Sequence, residues 1–283
     1  TFGLKKGTAM EGLKDGREKF LETAAFFATG GTKAGKIAEF LHTCPSRIFY
    51  AVNKLGNICE KLTAEICRGK VNASVLQFDE IKTFCKKKAD EAWVWTCVEA
   101  GSKFWVGLQV GSHDGKVGKA LMREVKHSIA GLPLAITSDA LGCYLNLIRS
   151  WFRKVPYAQV QKIYEGKKLV EIKTEAFKPA GFMEIEKVMA SCGLGSSINT
   201  SFVERHNKTI RRENACLQRK TDSTNKKVEA LSARLQLYRF YYNFIRRQKG
   251  LNGLTPAQAA GVSKKRWTWQ DLFWARPAIT NRR

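Results

Sequence analysis

The chain has 283 residues, and its 49 lysines and arginines against 25 aspartates and glutamates give a formal net charge of +24 at pH 7. Hydrophobic residues make up 44% of the chain and aromatic residues 11%, which is enough for a substantial core and excludes a disordered basic tail. At roughly 150 residues per domain, we expect about two domains. The charge favours nucleic acid as partner, although ribosomal proteins and proteins on anionic lipid are also basic.

The eight cysteines are spread along the chain without the close pairs of a zinc knuckle or redox motif. A core of this size needs no disulfides, so we expect free thiols in a reducing compartment. No apolar run approaches the roughly 18 to 20 residues that span a bilayer, and the first six residues lack a signal-peptide hydrophobic region. We expect a soluble intracellular protein, cytoplasmic and nucleoid-associated in a prokaryote or nuclear in a eukaryote.

Apolar spacing predicts that the chain begins with helices. One helix is expected from Glu11 to Phe27 and ends at the two glycines that follow Thr29. Two short amphipathic helices, over residues 37–41 and 48–55, are separated by a tight turn. Thr43 or Cys44 could cap the second of them, with Pro45 in its first turn.

These two short helices resemble a helix-turn-helix. In that motif the second helix enters the major groove of DNA, where its polar positions meet the bases and backbone. The polar positions here are Arg47, Tyr50, Asn53 and Lys54. A plain helical hairpin that packs on the next domain is the alternative.

From Ser74 the hydrophobic period changes to two, which predicts strands. Three strands, at residues 74–81, 92–100 and 103–111, form an expected antiparallel meander. Further elements are predicted in the order helix, short buried strand, helix and hairpin, at Lys116–Ile129, 132–140, Leu141–Phe152 and Tyr157–Thr174. The glycine-rich stretch Phe177–Ser197 is predicted to be irregular, as an insertion or flexible loop.

Two helices are predicted near the end, at about Thr200–Leu217 and Lys226–Arg247. The second has an apolar stripe that packs within its own domain or forms a seam for self-association. A turn with a short helix follows in LTPAQAAG, and then a tryptophan-rich segment. From Glu204 onward the chain has 19 basic and five acidic residues, so this region is the more basic part.

Three acidic residues lie at structurally similar places in this basic chain. Asp79 and Asp139 follow apolar strands, and Glu204 lies near a helix start. A carboxylate at a buried strand end is costly unless it is paired or binds a metal. If the three converge, each pair repels by roughly 4 kcal/mol at 4 Å and an effective dielectric near 20, so cations would be needed. Mg²⁺ suits such a site, and two ions about 3.5 to 4 Å apart could act on a phosphodiester.

Other interpretations of the acids stay open on the residues alone. Glu80, Glu91 or Asp114 could be chosen equally well. Asp139 could cap the helix that starts near Leu141, and Glu204 could be a helix-start charge without a ligand role.

The sequence around these acids resembles prokaryotic insertion-sequence transposases with an Asp-Asp-Glu triad, of the insertion-sequence-one kind. The resemblance covers about Ser74–Gly261 and rests on six segments, QFDEI, TSDA, NTSFVERHNKTIRREN, RKTDSTNKK, YNFIRRQK and LTPAQAAG. It implies an RNase H-like core with a five-stranded mixed sheet, and it implies that Asp79, Asp139 and Glu204 bind two Mg²⁺ or Mn²⁺ ions as catalytic carboxylates. The chain lacks the cysteine-paired zinc ribbon with which such proteins often begin, and Lys162–Ser197 matches the family poorly.

The helix around Glu204 carries further candidates. With Glu204 facing inward, neighbouring turns of the same side bring Asn207, Lys208 and Arg211 to the phosphates beside the metal ions. His206 could orient an attacking group, but the nearby apolar stripe favours a packing or phosphate contact. A DNA-backbone face, or alternatively solvated surface charge, is formed by Arg211, Arg212, Arg219 and Lys220.

We therefore predict an α/β protein with an RNase H-like mixed sheet and flanking helices. Residues 1–72 are expected to form the helix-turn-helix region, 73–225 the catalytic domain with an insertion near 157–197, and 226–283 a helical basic extension. The predicted function is that of a DNA transposase which cleaves transposon ends and joins them to target DNA. A nuclease or resolvase without strand transfer, and a non-catalytic DNA-binding protein, are the alternatives.

Double-stranded DNA, both transposon ends and target, is the expected partner, with no membrane and no small-molecule substrate. Because two ends must be joined together, we expect a homodimer or a higher assembly. The second of the two C-terminal helices or the tryptophan-rich segment could serve that assembly.

Overall fold

The computed structural model describes residues 5–12, 17–177, 179, 181–219, 221 and 223–277. The chain divides into two compact units. The terminal unit consists of Thr1–Cys67, Phe84–Asp90 and Thr209–Arg283, and the sheet unit consists of Arg68–Thr83 and Glu91–Lys208. The two ends of the chain, which the sequence pattern assigned to separate parts, thus belong to one unit.

A six-stranded mixed sheet forms the centre of the sheet unit. The strands are β1 Val75–Phe84, β2 Glu91–Glu99, β3 Phe104–Gly111, β4 Ala135–Asp139, β5 Tyr157–Glu165 and β6 Lys168–Phe177. Their spatial order is β3-β2-β1-β4-β5-β6. Strand β4 runs parallel to both β1 and β5, whereas β2 with β3 and β5 with β6 are antiparallel. The predicted α/β class with a mixed sheet is confirmed. The sheet has six strands where the resemblance implied five, and the predicted hairpin supplies the last two, β5 and β6.

Helices flank this sheet. They are α4 Gly115–Ser128, α5 Gly142–Trp151, α6 Phe182–Ser191 and the start of α7 Ser201–Glu213. The Asp114 side chain caps α4 by accepting hydrogen bonds from the backbone amides of Lys116 and Val117 at 2.8 and 3.1 Å. One face of α4 packs on β3, where Gly107 leaves the space that Leu121 and Val125 fill.

The prediction of irregular structure over Phe177–Ser197 is wrong in its centre, where α6 forms. Ile185 and Met189, four residues apart, lie on one face of this helix and are fully buried. They join the core cluster of the sheet that includes Val75 and Ala158. Burial of that face stabilises a helix whose glycine-rich flanks hide it in the sequence.

The terminal unit is helical. Its helices are α1 Glu18–Thr29, α2 Ala34–Phe40, α3 Pro45–Cys67, the end of α7, α8 Val228–Phe240, α9 Pro256–Ala259 and α10 Trp269–Trp274. Short turns of 3-10 helix lie at Ala215–Leu217 and Lys249–Leu251, and a π-helical turn at Tyr241–Ile245 extends α8. Helix α1 begins later than predicted, and residues 13–16 lie outside the described residues.

The two predicted short helices correspond to α2 and to the first half of α3, which is 23 residues long. Pro45 starts α3 as predicted, and His42 adopts a left-handed conformation with φ 47° in the turn. The Thr43 hydroxyl is buried and has no hydrogen-bond partner among the described residues, so Thr43 does not cap α3. A helix pair joined by a tight turn is present, and its docking on DNA stays a prediction.

The apolar stripe of α8 is buried inside the terminal unit, which agrees with the first of the two interpretations, packing within its own domain. Leu231, Leu235 and Tyr238 are at most 1% exposed. Helix α3 crosses α8 so closely that a Cβ atom on Gly56 would lie 2.0 Å from the backbone oxygen of Ala233. This stripe is therefore not an open seam for a second copy of the chain.

Among the helices in the described ranges, none combines the length and the apolarity that a membrane crossing needs.

We predict that Gly56→Ala lowers the free energy of unfolding by about 3 kcal/mol, because the added methyl group forces α3 and α8 apart. Gly35→Ala is the matched control, since Gly35 lies in a helix and a Cβ atom added to it would meet no heavy atom within 4 Å among the described residues. That control should be neutral or more stable by about 0.5 to 1 kcal/mol. Chemical denaturation of both variants checks this, and equal stability of the two would contradict the close helix crossing.

Candidate metal centre

Parallel pairing of β1 and β4 brings Asp79 and Asp139 together. The register joins Val75 to Ala135 and continues to Phe78 and Ser138, so the next residue of each strand is one of the two aspartates. Ligand oxygens of Asp79, Glu80 and Asp139 all lie within 4.8 Å of one another. Two of the three predicted carboxylates thus meet in the sheet unit, and Glu80 is the third member of this carboxylate cluster.

The other acids that the sequence left open have ordinary structural roles. Asp114 caps α4, and Glu91 forms a surface ion pair with Lys82. Asp139 does not supply the cap of α5, since that helix has no side-chain cap and Asp139 accepts only a long 3.4 Å hydrogen bond from the Leu141 amide. Only Glu80 among the alternatives reaches the cluster.

Hydrogen bonds from α7 and β2 fix the position of Asp79. One carboxylate oxygen accepts from the Glu80 amide at 2.8 Å and the other from the side-chain amide of Asn207 at 2.8 Å. The Thr96 hydroxyl lies 3.1 Å from the Asn207 oxygen and 2.8 Å from the Asp79 backbone oxygen. Asn207 is only 6% exposed. The Asn207 side chain is thus used to hold Asp79, and its predicted contact with DNA stays a prediction.

Gln77 positions the start of α7. Its side-chain oxygen accepts from the amides of Phe202 and Val203, both at 3.1 Å, and so satisfies two of the unpaired donors at the helix start. Its side-chain nitrogen donates to the backbone oxygen of Asn199 at 2.8 Å. Because Gln77 and Asp79 share one strand, β1 places both the aspartate and the helix that carries Glu204.

Burial and mutual repulsion weaken the acidity of the cluster. Burial, followed by the charge of Asp139, raises the pKa of Asp79 to about 7. Burial, followed by the charges of Asp139 and Asp79, raises the pKa of Glu80 to about 9. Burial also raises the pKa of Asp139. The fully ionised cluster is thus unfavourable unless positive charge is brought to it.

The cluster fits a divalent cation. One oxygen of Glu80 is buried and has no hydrogen bond of standard geometry among the described residues, and the only side chain that interacts with this carboxylate as a hydrogen-bond donor is the Tyr144 hydroxyl. Such an oxygen is costly to leave unsatisfied, and a cation would satisfy it. Carboxylate oxygens are the ligands that Mg²⁺ and Mn²⁺ prefer.

Glu204 lies beside the cluster but is not a member of the group within 4.8 Å. Lys162 on β5 donates to both of its carboxylate oxygens, and the Thr200 hydroxyl donates to one of them at 2.6 Å. Asp139 and Glu204 line the same cavity, which has a volume of about 400 Å³. The charge of Glu204 also contributes to the raised pKa values of Asp79 and Asp139.

The remaining predicted residues of α7 and its extension differ in exposure. His206 is buried and packs edge to face on Trp105 at a ring distance of 4.7 Å, which agrees with the packing interpretation. Lys208, Arg212 and Arg219 are exposed. Arg211 is half-buried and donates to the Leu217 backbone oxygen at 3.3 Å. Lys220 lies outside the described residues.

Three of the four predicted recognition residues of α3 line a cavity in the terminal unit. Arg47 and Tyr50 are exposed, Asn53 and Lys54 are half-buried, and Lys54 donates to the backbone oxygen of Glu11. A cavity of about 420 Å³ is lined by Arg47, Tyr50 and Lys54 together with Arg17. This face is basic and open, as the prediction of DNA contact requires.

The fold and the cluster define a class, an α/β protein in which two central parallel strands, β1 and β4, carry a group of three carboxylates. No protein-family model matches the chain, and no curated protein matches it.

We predict that the metal-free protein loses stability as the pH rises from about 4 to 9. The raised pKa values of Asp79 and Glu80 mean that the folded state binds more protons than the unfolded state in this window, so the free energy of unfolding falls with pH. Glu80→Gln should remove part of this slope and raise the melting temperature in chelator near pH 8. Exposed Glu91→Gln should leave the slope unchanged.

The same two variants separate repulsion from metal binding. Mn²⁺ should raise the melting temperature of the wild type, and of Glu91→Gln, more than that of Glu80→Gln, because a bound ion stabilises only the folded state. Differential scanning calorimetry with and without Mn²⁺ provides both readings. A pH slope that Glu80→Gln does not alter would show that the carboxylates are not held together in solution.

Proposed function

We propose that this chain is a DNA transposase with an RNase H-like catalytic domain, which cleaves DNA at transposon ends and joins the ends to target DNA. The observation that carries the proposal is the approach of the Asp79, Glu80 and Asp139 oxygens to within 4.8 Å. In a chain with a net charge of +24, a half-buried anionic cluster has little structural use and a clear use in binding cations at a phosphodiester.

The sheet supports the proposal. An antiparallel β2-β3 pair beside β1, followed by β4 and β5 in parallel, is compatible with the RNase H-like fold. Asp79 and Asp139 lie on its two central strands, β1 and β4. The resemblance of the sequence segments around Asp79, Asp139 and Glu204 to insertion-sequence transposases points in the same direction.

Each residue of the centre has a distinct task in this proposal. Asp79 and Asp139 would hold Mg²⁺ or Mn²⁺, with Glu80 as a further oxygen donor and Glu204 next to them. The bound ions would stabilise negative charge on the attacking and leaving oxygens of the phosphodiester. Asn207 keeps Asp79 oriented, and the cavity beside Asp139 gives the substrate strand access to the carboxylates.

The basic surfaces supply the second requirement, which is affinity for duplex DNA. Exposed Arg47 and Tyr50 on α3, and exposed Lys208, Arg212 and Arg219 on and after α7, offer positive charge and an aromatic side chain. Contacts of this kind with phosphates determine most of the affinity for DNA. Strand transfer joins two ends, so the proposal includes a dimer or a higher assembly.

We predict that Asp139→Asn abolishes Mn²⁺-dependent strand transfer of pre-cleaved ends, lowering its rate by on the order of 10³-fold, while duplex binding persists. Glu91→Gln, which removes one exposed carboxylate, is the matched control and should retain activity. Gel assays of joining and of duplex binding provide both measurements.

The outcomes of that assay distinguish the proposed function from its rivals. Cleavage without joining, lost in Asp139→Asn, would indicate a nuclease or resolvase. Duplex binding with neither cleavage nor joining in the wild type would indicate a non-catalytic DNA-binding protein.

We predict that Arg47→Ala weakens duplex binding and lowers the slope of log affinity against log salt concentration by about 0.9, the value for one phosphate contact. If Arg47 instead reads a base, the loss is about 1 to 3 kcal/mol and depends on the DNA sequence. Lys168→Ala, an exposed lysine of the β5-β6 hairpin, is the control. Fluorescence anisotropy over a series of salt concentrations gives the slope, and an unchanged slope and affinity would remove α3 from the DNA contact.

A further inference from the structure

We propose that Lys162 is a positioning residue that holds Glu204 away from the carboxylate cluster until a phosphate group of DNA takes over the lysine. The proposal deepens the proposed function and rests on it. It assigns a role to the positive charge of Lys162, which lines the same cavity as the carboxylates of Asp139 and Glu204.

The hydrogen bonds show that Glu204 is fully engaged. The Lys162 ammonium donates to both carboxylate oxygens, and the Thr200 hydroxyl donates to one of them at 2.6 Å. Lys162 comes from β5 and Glu204 from α7, so the pair joins two elements at the cavity. With both oxygens occupied, Glu204 stands outside the group formed by Asp79, Glu80 and Asp139.

The cavities show where a phosphate would reach the lysine. Lys162 and Thr200 line the cavity of about 400 Å³ that Asp139 also lines. The same two residues line a second cavity, of about 420 Å³, with Ile172 and Thr174 of β6. The lysine therefore lines both cavities, and the first of them is also lined by Asp139, a member of the cluster.

The ion pair between Lys162 and Glu204 is only partly shielded from solvent, so a phosphate of DNA can replace Glu204 as the partner of the lysine. The side chains of Lys162 and Glu204 are each 29% exposed, and a partly exposed ion pair is weakened by solvent. A phosphodiester also provides a negative charge, and lysine binds phosphate well as a point charge. When DNA takes the ammonium, Glu204 regains its free charge beside three carboxylates that already repel one another. The affinity of the site for divalent cations then rises, so DNA and cation strengthen each other's binding.

Mn²⁺ binding to the full chain, measured by electron paramagnetic resonance without DNA, tests the first half of the proposal. Lys162→Met should tighten Mn²⁺ binding about tenfold, the effect expected when a residue that orients a ligand changes. Lys162→Arg, which keeps the pair, should resemble the wild type. Lys168→Met removes an equal charge from the hairpin and is the matched control. Circular dichroism checks folding, and Lys162→Gln replaces Lys162→Met if that variant unfolds.

Glu204→Gln decides whether the gain comes through Glu204. In the Glu204→Gln background, Lys162→Met should give no gain in Mn²⁺ affinity. A gain that persists there would reflect only the loss of a positive charge near the site and would overturn the proposal, as would the absence of any gain in Lys162→Met alone.

Duplex binding in chelator tests the second half. Glu204→Gln frees Lys162 and should tighten duplex binding several-fold, and this gain should vanish in the Lys162→Met background. A gain of equal size in both backgrounds would overturn the role of Lys162 as the residue that binds the phosphate.

Asp139→Asn separates a failure of this proposal from a failure of the proposed function. If Asp139→Asn weakens Mn²⁺ binding while Lys162→Met changes nothing, only the role of Lys162 falls. If Asp139→Asn leaves Mn²⁺ binding unchanged, the carboxylate cluster is not the metal site, and both proposals fall.

Discussion

Electrostatic repulsion among half-buried carboxylates is the constraint around which the sheet unit is organised. Parallel pairing of β1 and β4 places Asp79 next to Asp139, because each aspartate directly follows the last residue pair of the register, Phe78 and Ser138. Glu80 adds a third acid, and burial denies all three the water that would stabilise their charges. Few folds tolerate such a group for stability alone, so the arrangement is best understood as a site built for positive charge.

The surroundings of the cluster limit this repulsion without removing it. Asn207 and the Glu80 amide stabilise ionised Asp79, but only partly, because its pKa is still raised to about 7. Lys162 compensates Glu204 directly, whereas no such pairing with lysine or arginine is found for Asp79 or Glu80 within the described ranges. The chain therefore neutralises Glu204 with its own lysine, whereas the carboxylates of the cluster would be neutralised by a bound cation.

Much of the sheet could be predicted from the sequence because it depends on local periodicity. Alternating apolar residues identified the first three strands, and the wholly apolar run before Asp139 identified β4. Helix α6 could not be predicted in this way, because only Ile185 and Met189 mark its buried face between glycines. Its formation depends on the hydrophobic surface that the sheet offers, which no local pattern contains.

The site was only partly predictable from the sequence. Asp139 is the last residue of β4, as expected, but Asp79 is the fifth residue of the ten-residue strand β1 and does not lie at its end; the parallel pairing of the two strands brings the aspartates together. Glu80 was one of several acids open to choice, because β1 continues to Phe84 and only the folded sheet shows which acids it carries inward. The burial of Asn207 and the pairing of Glu204 with Lys162 both depend on where α7 lies, which Gln77 of β1 determines across 125 residues of chain.

The proposed function accounts for both the positive charge of the chain and its cluster of half-buried acids. The proposed partner is a polyanion, which a chain with a net charge of +24 would attract, and a nucleic acid has condensed counterions around it. A cation bound at the candidate centre would stabilise carboxylates whose pKa values are raised by burial and repulsion, whereas a site without charge would gain little from it. Lys162 is paired with Glu204, and in the proposed function it is the residue through which a phosphate of DNA would act on the carboxylates.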